Sequence, residues 1–164
     1  MATTRGSARE ATGAERLGLV TFELADQVFA VPVTRVRRIL DPLPVTRAPR
    51  GDGGAAGLID LAGESVPLVD LAAALGLDAA PAARGGTGRI VVVEVGAEGA
   101  PVGVAVDRVL DVAEVPPEAS EAPPASMGRS GALVGLVRHG GRLAMTLAVD
   151  RVLAGAGVTA GGRP

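Results

Sequence analysis

The chain has 164 residues, with 16 basic against 18 acidic, a net charge of −2, and no Cys, Tyr or Trp. A near-neutral surface without aromatic stacking platforms excludes a nucleic-acid groove, and the missing thiols remove disulfides, thiolate nucleophiles and Cys-based metal sites. Hydrophobic residues make up 48% of the sequence, enough for one domain or for two small lobes sharing one core.

Residues 1–16 are small and polar without periodicity, and 155–164 are Gly-rich, so flexible tails are expected around a folded body over 17–154. The N-terminal stretch lacks the apolar centre of a signal peptide, and no apolar run approaches the roughly 20 residues of a membrane span. A soluble, cytoplasmic protein is expected. Between the ends, short runs of Val, Leu and Ile bounded by Gly, Pro or Asp predict strands over 18–24, 28–33, 57–61, 65–69, 89–95, 101–106, 109–113, 133–138 and 142–148. Ala25-Asp26 links the first two as a hairpin, and His139-Gly140-Gly141 links the last two. The Pro-, Ala- and Gly-rich stretches 78–88 and 116–131 are expected to be exposed loops. Asp70 before "LAAALGL" and Asp150 before "RVLAG" predict caps of two short helices. The fold class is therefore all-β, a barrel or sandwich with minor helices. "VAVDRVL" (104–110) recurs as "LAVDRVL" (147–153), with a looser copy in "AVPVTRV" (30–36). The echo suggests similar strand-exit corners in two related small barrels.

Chemistry finds little to work with. In "GLIDLAGESVPLVDL", Asp60, Glu64 and Asp70 would have to converge in a pocket to act as acid and base. A strand, a turn and a second strand instead place Asp60 on a strand face, Glu64 at a turn and Asp70 at a helix cap. "GDGGAAG" (51–57) has dinucleotide-loop spacing but follows no strand and opens no helix, and the chain has no Lys for a phosphate loop of the Walker type. His139 is the sole histidine, "GRSGA" around Ser130 misses the nucleophile-elbow pattern, and no metal set forms around one His. The residues predict a binding protein rather than an enzyme, with no cofactor.

"LVTFELADQVFAVPVTRVRRIL", "GLIDLAGESVPLVDLAAALGL", "RIVVVEV", "VGVAVDRVLDVAEV" and "LAMTLAVDRVLAG" resemble, in that order, the successive blocks of the CheW-like chemotaxis coupling proteins. The resemblance spans roughly Leu17 to Leu153. It implies two packed five-stranded SH3-like barrels without catalytic activity. It also implies an adaptor that joins methyl-accepting chemotaxis receptors to the histidine kinase CheA in arrays, with other CheW-like subunits as further partners. Carried over by position, the receptor-facing groove falls on Val36, Arg38, Ile39, Gly57, Leu61, Ala62, Val104, Val106 and Val109. Kinase contacts fall on Val45, Arg47, Arg50 and Asp52. The family's central block usually reads Asn-Leu-Arg-Gly where this chain has Asp60-Leu61-Ala62-Gly63, and an acid is common where Arg38 stands. These departures imply altered or weakened receptor binding. The alternative is a divergent member that fills arrays or serves another regulatory partner without receptor coupling.

Overall fold

The computed structural model describes residues 16–46, 55–77, 88–127 and 131–155. The aliphatic runs form antiparallel hairpins. The first joins β1 (Leu17–Leu24) to β2 (Gln27–Pro32), and a 3-10 turn over Val33–Arg35 leads to β3 (Val36–Leu40). β4 (Ala55–Leu61) and β5 (Glu64–Asp70) form the next hairpin and run into helix α1 (Leu71–Ala74). β6 (Arg89–Val95) pairs with β7 (Ala100–Val106), followed by β8 (Arg108–Val115), a 3-10 turn over Pro117–Ala119 and β9 (Ser120–Glu121). β10 (Leu133–His139) and β11 (Arg142–Leu147) complete the strands, and α2 (Val149–Gly155) follows. The tight turns adopt the left-handed backbone that matches strand twist: φ is 53° and 65° at Ala25-Asp26, 52° and 90° at Ala62-Gly63, and 62° and 78° at Gly140-Gly141.

Two sheets result, one ordered β8-β1-β2-β11-β10-β9 and the other β3-β6-β7-β5-β4. In the first lobe, one chain segment borders both sheet edges, because β8 continues through the 3-10 turn into β9, which pairs with β10. In the second, the chain leaving β3 reaches Thr46, which exchanges two 2.8 Å backbone hydrogen bonds with Leu58 on β4. Each sheet is thereby drawn into a small barrel. β9, only two residues long, is the strand that makes the first sheet six-stranded.

The lobes are built by exchange between two equivalent halves of the chain. Each half runs hairpin, crossover, single strand, hairpin, helix: β1 to α1, then β6 to α2. The first hairpin of each half lies in the lobe that the other half completes. Registers repeat as well. Parallel pairing of β11 with β2 in one lobe matches that of β5 with β7 in the other. The bulge that skips Arg37 opposite β6 matches the one that skips Leu110 opposite β1. The two halves are thus equivalent in topology and register, and each contributes its first hairpin to the other's lobe.

Alternation along the strands sorts side chains between two kinds of core. Val20, Phe22 and Leu24 of β1 meet Val91, Val93 and Val95 of β6 in a core between the lobes, sealed by Leu71 of α1 and by Val152 and Leu153 of α2. Leu19, Val28, Ala30, Val115, Val137 and Ala144 fill the first barrel. Ile59, Val66, Leu68, Ile90, Val92 and Ala105 fill the second. The interlobe core retains an apolar cavity of about 20 Å³, lined among others by Phe22, Val91, Val93 and Val104. With no polar partner in its lining, a water there would gain no hydrogen bonds.

Several expectations need correcting. Asp70 caps α1 as the sequence predicts, accepting the Ala73 N–H at 3.3 Å. Asp150 does not cap α2: the helix begins a residue earlier, with the Ala148 carbonyl accepting the Val152 N–H at 2.9 Å. The Asp150 carboxylate turns outward instead, accepting the Gly96 N–H at 3.0 Å and pairing with Arg35. The near-identical echo at 104–110 and 147–153 is a strand-to-strand corner in one place and a strand-to-helix corner in the other. The looser copy at 30–36 is the structural equivalent of 103–109, one residue out of step with the letter match, since both lead a hairpin across to the other lobe. The stretch 116–131, read as loop throughout, contains β9 and the 3-10 turn. β3 has no counterpart among the sequence-predicted strands, because its bulge and its run of three exposed residues erase the alternation. The tails and most of the 78–88 stretch lie outside the described residues.

Candidate functional site: the seam between the lobes

β3 and β8 are edge strands in equivalent positions, each hydrogen-bonded to one neighbour. Opposed residues of an antiparallel pair share a face, so register fixes where their side chains go. Val36 and Ile39 of β3 stand opposite Val93 and Val91. Val109 and Val112 of β8 stand opposite Phe22 and Val20. All four opposing residues belong to the interlobe core, and Val36 and Val109 pack partly buried against it. Ile39 is 41% exposed and Val112 60%. Large apolar side chains left open beside a shared core are the marks of a docking surface.

The flanking Arg35, Arg37 and Arg108 are engaged internally. Arg35 donates from Nε to the Glu94 carbonyl at 2.9 Å and pairs with Asp150, while Arg37 lies 3.4 Å from Glu94. Glu23 accepts from Arg142 at 2.6 Å and from Arg108 at 2.9 Å. Those two guanidiniums, Arg142 foremost, hold the Glu23 carboxyl below its ordinary value. Asp150 is lowered in the same sense, chiefly by the Gly96 N–H; burial opposes this as the next largest effect, and Arg35 adds to the lowering.

The predicted receptor residues separate into groups. Val36, Ile39 and Val109 lie on the seam. Val104 and Val106 are buried at 6% and 0% exposure in the interlobe core, so their side chains support the seam from beneath. Arg38 stands opposite Val92, whose side chain fills the second barrel, and therefore points away from Ile39 on the same strand. Leu61 packs partly buried against that barrel's core, and Ala62 is exposed at the adjoining turn. Gly57 is buried against Thr46 and Val45. Among the predicted kinase contacts, Val45 is 40% exposed beside the equally open Leu58, while Arg47, Arg50 and Asp52 lie outside the described residues. Val112 escaped the sequence reading. The signal was present in the match of "PVTRVRRI" to "AVDRVLDV", which pairs Ile39 with Val112.

The polar residues of the first barrel do not form a catalytic set. Thr21 and Asp111 lie 3.2 Å apart, and His139 Nε2 lies 3.2 Å from the other Asp111 oxygen. The carboxylate thus sits between hydroxyl and imidazole, whereas nucleophile activation requires the imidazole in the middle. Asp60 accepts the Gly63 N–H at 2.8 Å and braces the hairpin turn. Among the described residues no group of three or more His, Asp or Glu side chains is placed to hold a metal ion. Among the described residues no helix is long and apolar enough to cross a membrane.

Two small barrels that exchange hairpins, with apolar edge strands flanking a common core, define the class of fold and the candidate site. More particularly, the CheW-like domain matches residues 18–156, and the chain belongs to that family. A probable chemotaxis protein CheW of Rhizobium etli is 35% identical over 100 residues, covering 61% of this chain and 62% of that protein. The match thus spans less than two-thirds of the relative's length. The chemotaxis protein CheW of Treponema pallidum is 26% identical over 142 residues, covering 84% of this chain and 82% of its own. The crystal structure of the scaffolding protein TtCheW from Thermoanaerobacter tengcongensis aligns with a TM-score of 0.72 and 22% identity, over 80% of this chain and 88% of that one. That likeness establishes the shared fold.

Proposed function

We propose that the protein is a chemosensory adaptor that joins methyl-accepting receptors to the histidine kinase CheA and supports assembly of their array in the cytoplasm. Family membership supplies the setting. The observation that carries the reading is the seam, where Val36, Ile39, Val109 and Val112 line up over the interlobe core with Arg35, Arg37 and Arg108 beside them already paired. A surface of that kind gains affinity from apolar burial rather than from charge, and modest contacts gain strength by repetition in an array. The kinase would dock elsewhere, at the end of the second barrel around Val45 and the residues that follow it.

Ala62 favours a second reading. It leaves the exposed turn of β4–β5 without the cation that usually stands there in the family, and charge pattern selects partners more than it sets affinity. On this reading the chain occupies array positions without coupling. Addition of the purified protein to receptor-containing membranes and CheA separates the two: phosphorylation rises if it couples, and stays level or falls if it only occupies positions.

A further inference from the structure

We infer that α2 is a latched lid on the interlobe core, held shut by Asp150, and that its opening loosens β3 in the same event. The lid is short and packs over open space. α2 has seven residues, too few for a helix to persist in water without tertiary contacts. Val149, Val152 and Leu153 line the interlobe cavity from this helix, with Leu147 just before it, so part of its apolar face meets no neighbouring atoms. The hinge falls at Ala148, whose N–H donates to the Ala132 carbonyl at 2.8 Å and whose own carbonyl accepts the Val152 N–H.

The latch is peculiar to one half of the chain. Strand registers make Arg35 equivalent to Arg108 and Gly96 equivalent to Ala25. In the first lobe that corner closes within the crossover: Asp107 accepts the Ala25 N–H at 2.9 Å, and the adjacent Arg108 pairs with Glu23. In the second lobe Thr34 stands where Asp107 does, and the carboxylate comes from α2 instead. Asp150 accepts the Gly96 N–H at 3.0 Å and pairs with Arg35. Arg35 also donates to the Glu94 carbonyl and directly precedes Val36, the first residue of β3. The register of the two parallel strand pairs sets Ala72 of α1 in the place of Asp150, and an alanine offers no such tie. One carboxylate therefore joins the C-terminal helix, the turn after β6 and the chain entering β3. When α2 lifts, Arg35 loses its only carboxylate partner among the described residues.

The test is hydrogen exchange of the full chain, read amide by amide under native conditions. Asp150→Ala removes both bonds while installing the residue that most favours helix, so faster exchange in α2 cannot be laid to propensity. Exchange is expected to rise by about tenfold or more over α2, read at Val152, and over 33–40, with β10 unchanged. Coupling is reciprocal, so Arg35→Gln is expected to speed exchange in α2 as well. Glu23→Gln, which removes a charge from the first barrel, controls for general destabilisation and should reproduce neither change. Unaltered exchange of α2 in Asp150→Ala overturns the latch, and faster α2 beside unaltered 33–40 overturns the coupling. Equal acceleration in β10, or the same pattern in Glu23→Gln, overturns both by showing ordinary global unfolding.

Discussion

Gly57 and Gly135 occupy one position in the two lobes, each just after the bulge where the outer hairpin meets its closing segment. A Cβ on Gly57 would strike the Thr46 carbonyl oxygen, which is fixed by the Thr46–Leu58 bridge, whereas a Cβ on Gly135 would lie 2.6 Å from the Ser120 hydroxyl. A side-chain hydroxyl can rotate away and a bridged carbonyl cannot. Gly57→Ala is expected to cost about 1–3 kcal/mol of stability by overpacking, and Gly135→Ala distinctly less. Urea unfolding of both variants checks the order.

Ala25 and Ala62 hold φ of 53° and 52° at hairpin positions that favour Gly or Asn. Ala25→Gly and Ala62→Gly should each raise stability by roughly 0.5–1 kcal/mol, the relief of left-handed strain being partly offset by the greater freedom of the unfolded chain. Ala25 donates to Asp107 through its backbone N–H, at 2.9 Å, so substitution keeps that bond. Denaturant midpoints read the gain, with unchanged slopes expected.

Glu23 and Asp150 both titrate below their ordinary values in the folded chain. A lowered carboxyl favours folding above its unfolded value of about 4 and loses that contribution as pH falls through the lower, folded-state value. Stability is therefore expected to decline on acidification below about pH 5. Glu23→Gln and Asp150→Asn should lower stability at pH 7 and flatten the acid limb. Thermal midpoints between pH 7 and pH 3 test this, and an unchanged acid limb in both variants would refute it.

Val104 and Val106 separate support from contact. Both are buried between the lobes, so truncation to Ala should cost about 2 kcal/mol or more through lost burial and the cavity left behind. Ile39→Ala, on an exposed side chain, should leave stability within about 0.5 kcal/mol. Calorimetric unfolding of the three variants distinguishes them.

Much of this architecture could be read from residues. Short runs of Val, Leu and Ile bounded by Gly, Pro or Asp located most strands, and Ala25-Asp26 and Gly140-Gly141 marked their turns. The two-lobed plan followed from the internal echo and from family resemblance. What escaped was whatever depends on pairing across the chain. β3 lacks alternation because a bulge at Arg37 shifts its faces, and β9 is too short to carry a pattern. The Asp150 signal resembled a cap, yet its carboxylate found a better donor in Gly96 from a distant turn. Letter identity misled at 147–153, while the weaker match at 30–36 marked the true structural counterpart. For the site, the sequence supplied Val36, Ile39 and Val109 through resemblance. It could not separate them from Val104 and Val106, because every one is an aliphatic in a strand and only register assigns the face.

The most direct test of the adaptor reading is co-sedimentation of CheA with receptor-containing membranes, with and without this protein. The bridging reading predicts that CheA moves to the pellet when the protein is present and that Ile39→Arg abolishes the transfer. CheA remaining in the supernatant at saturating protein would contradict it.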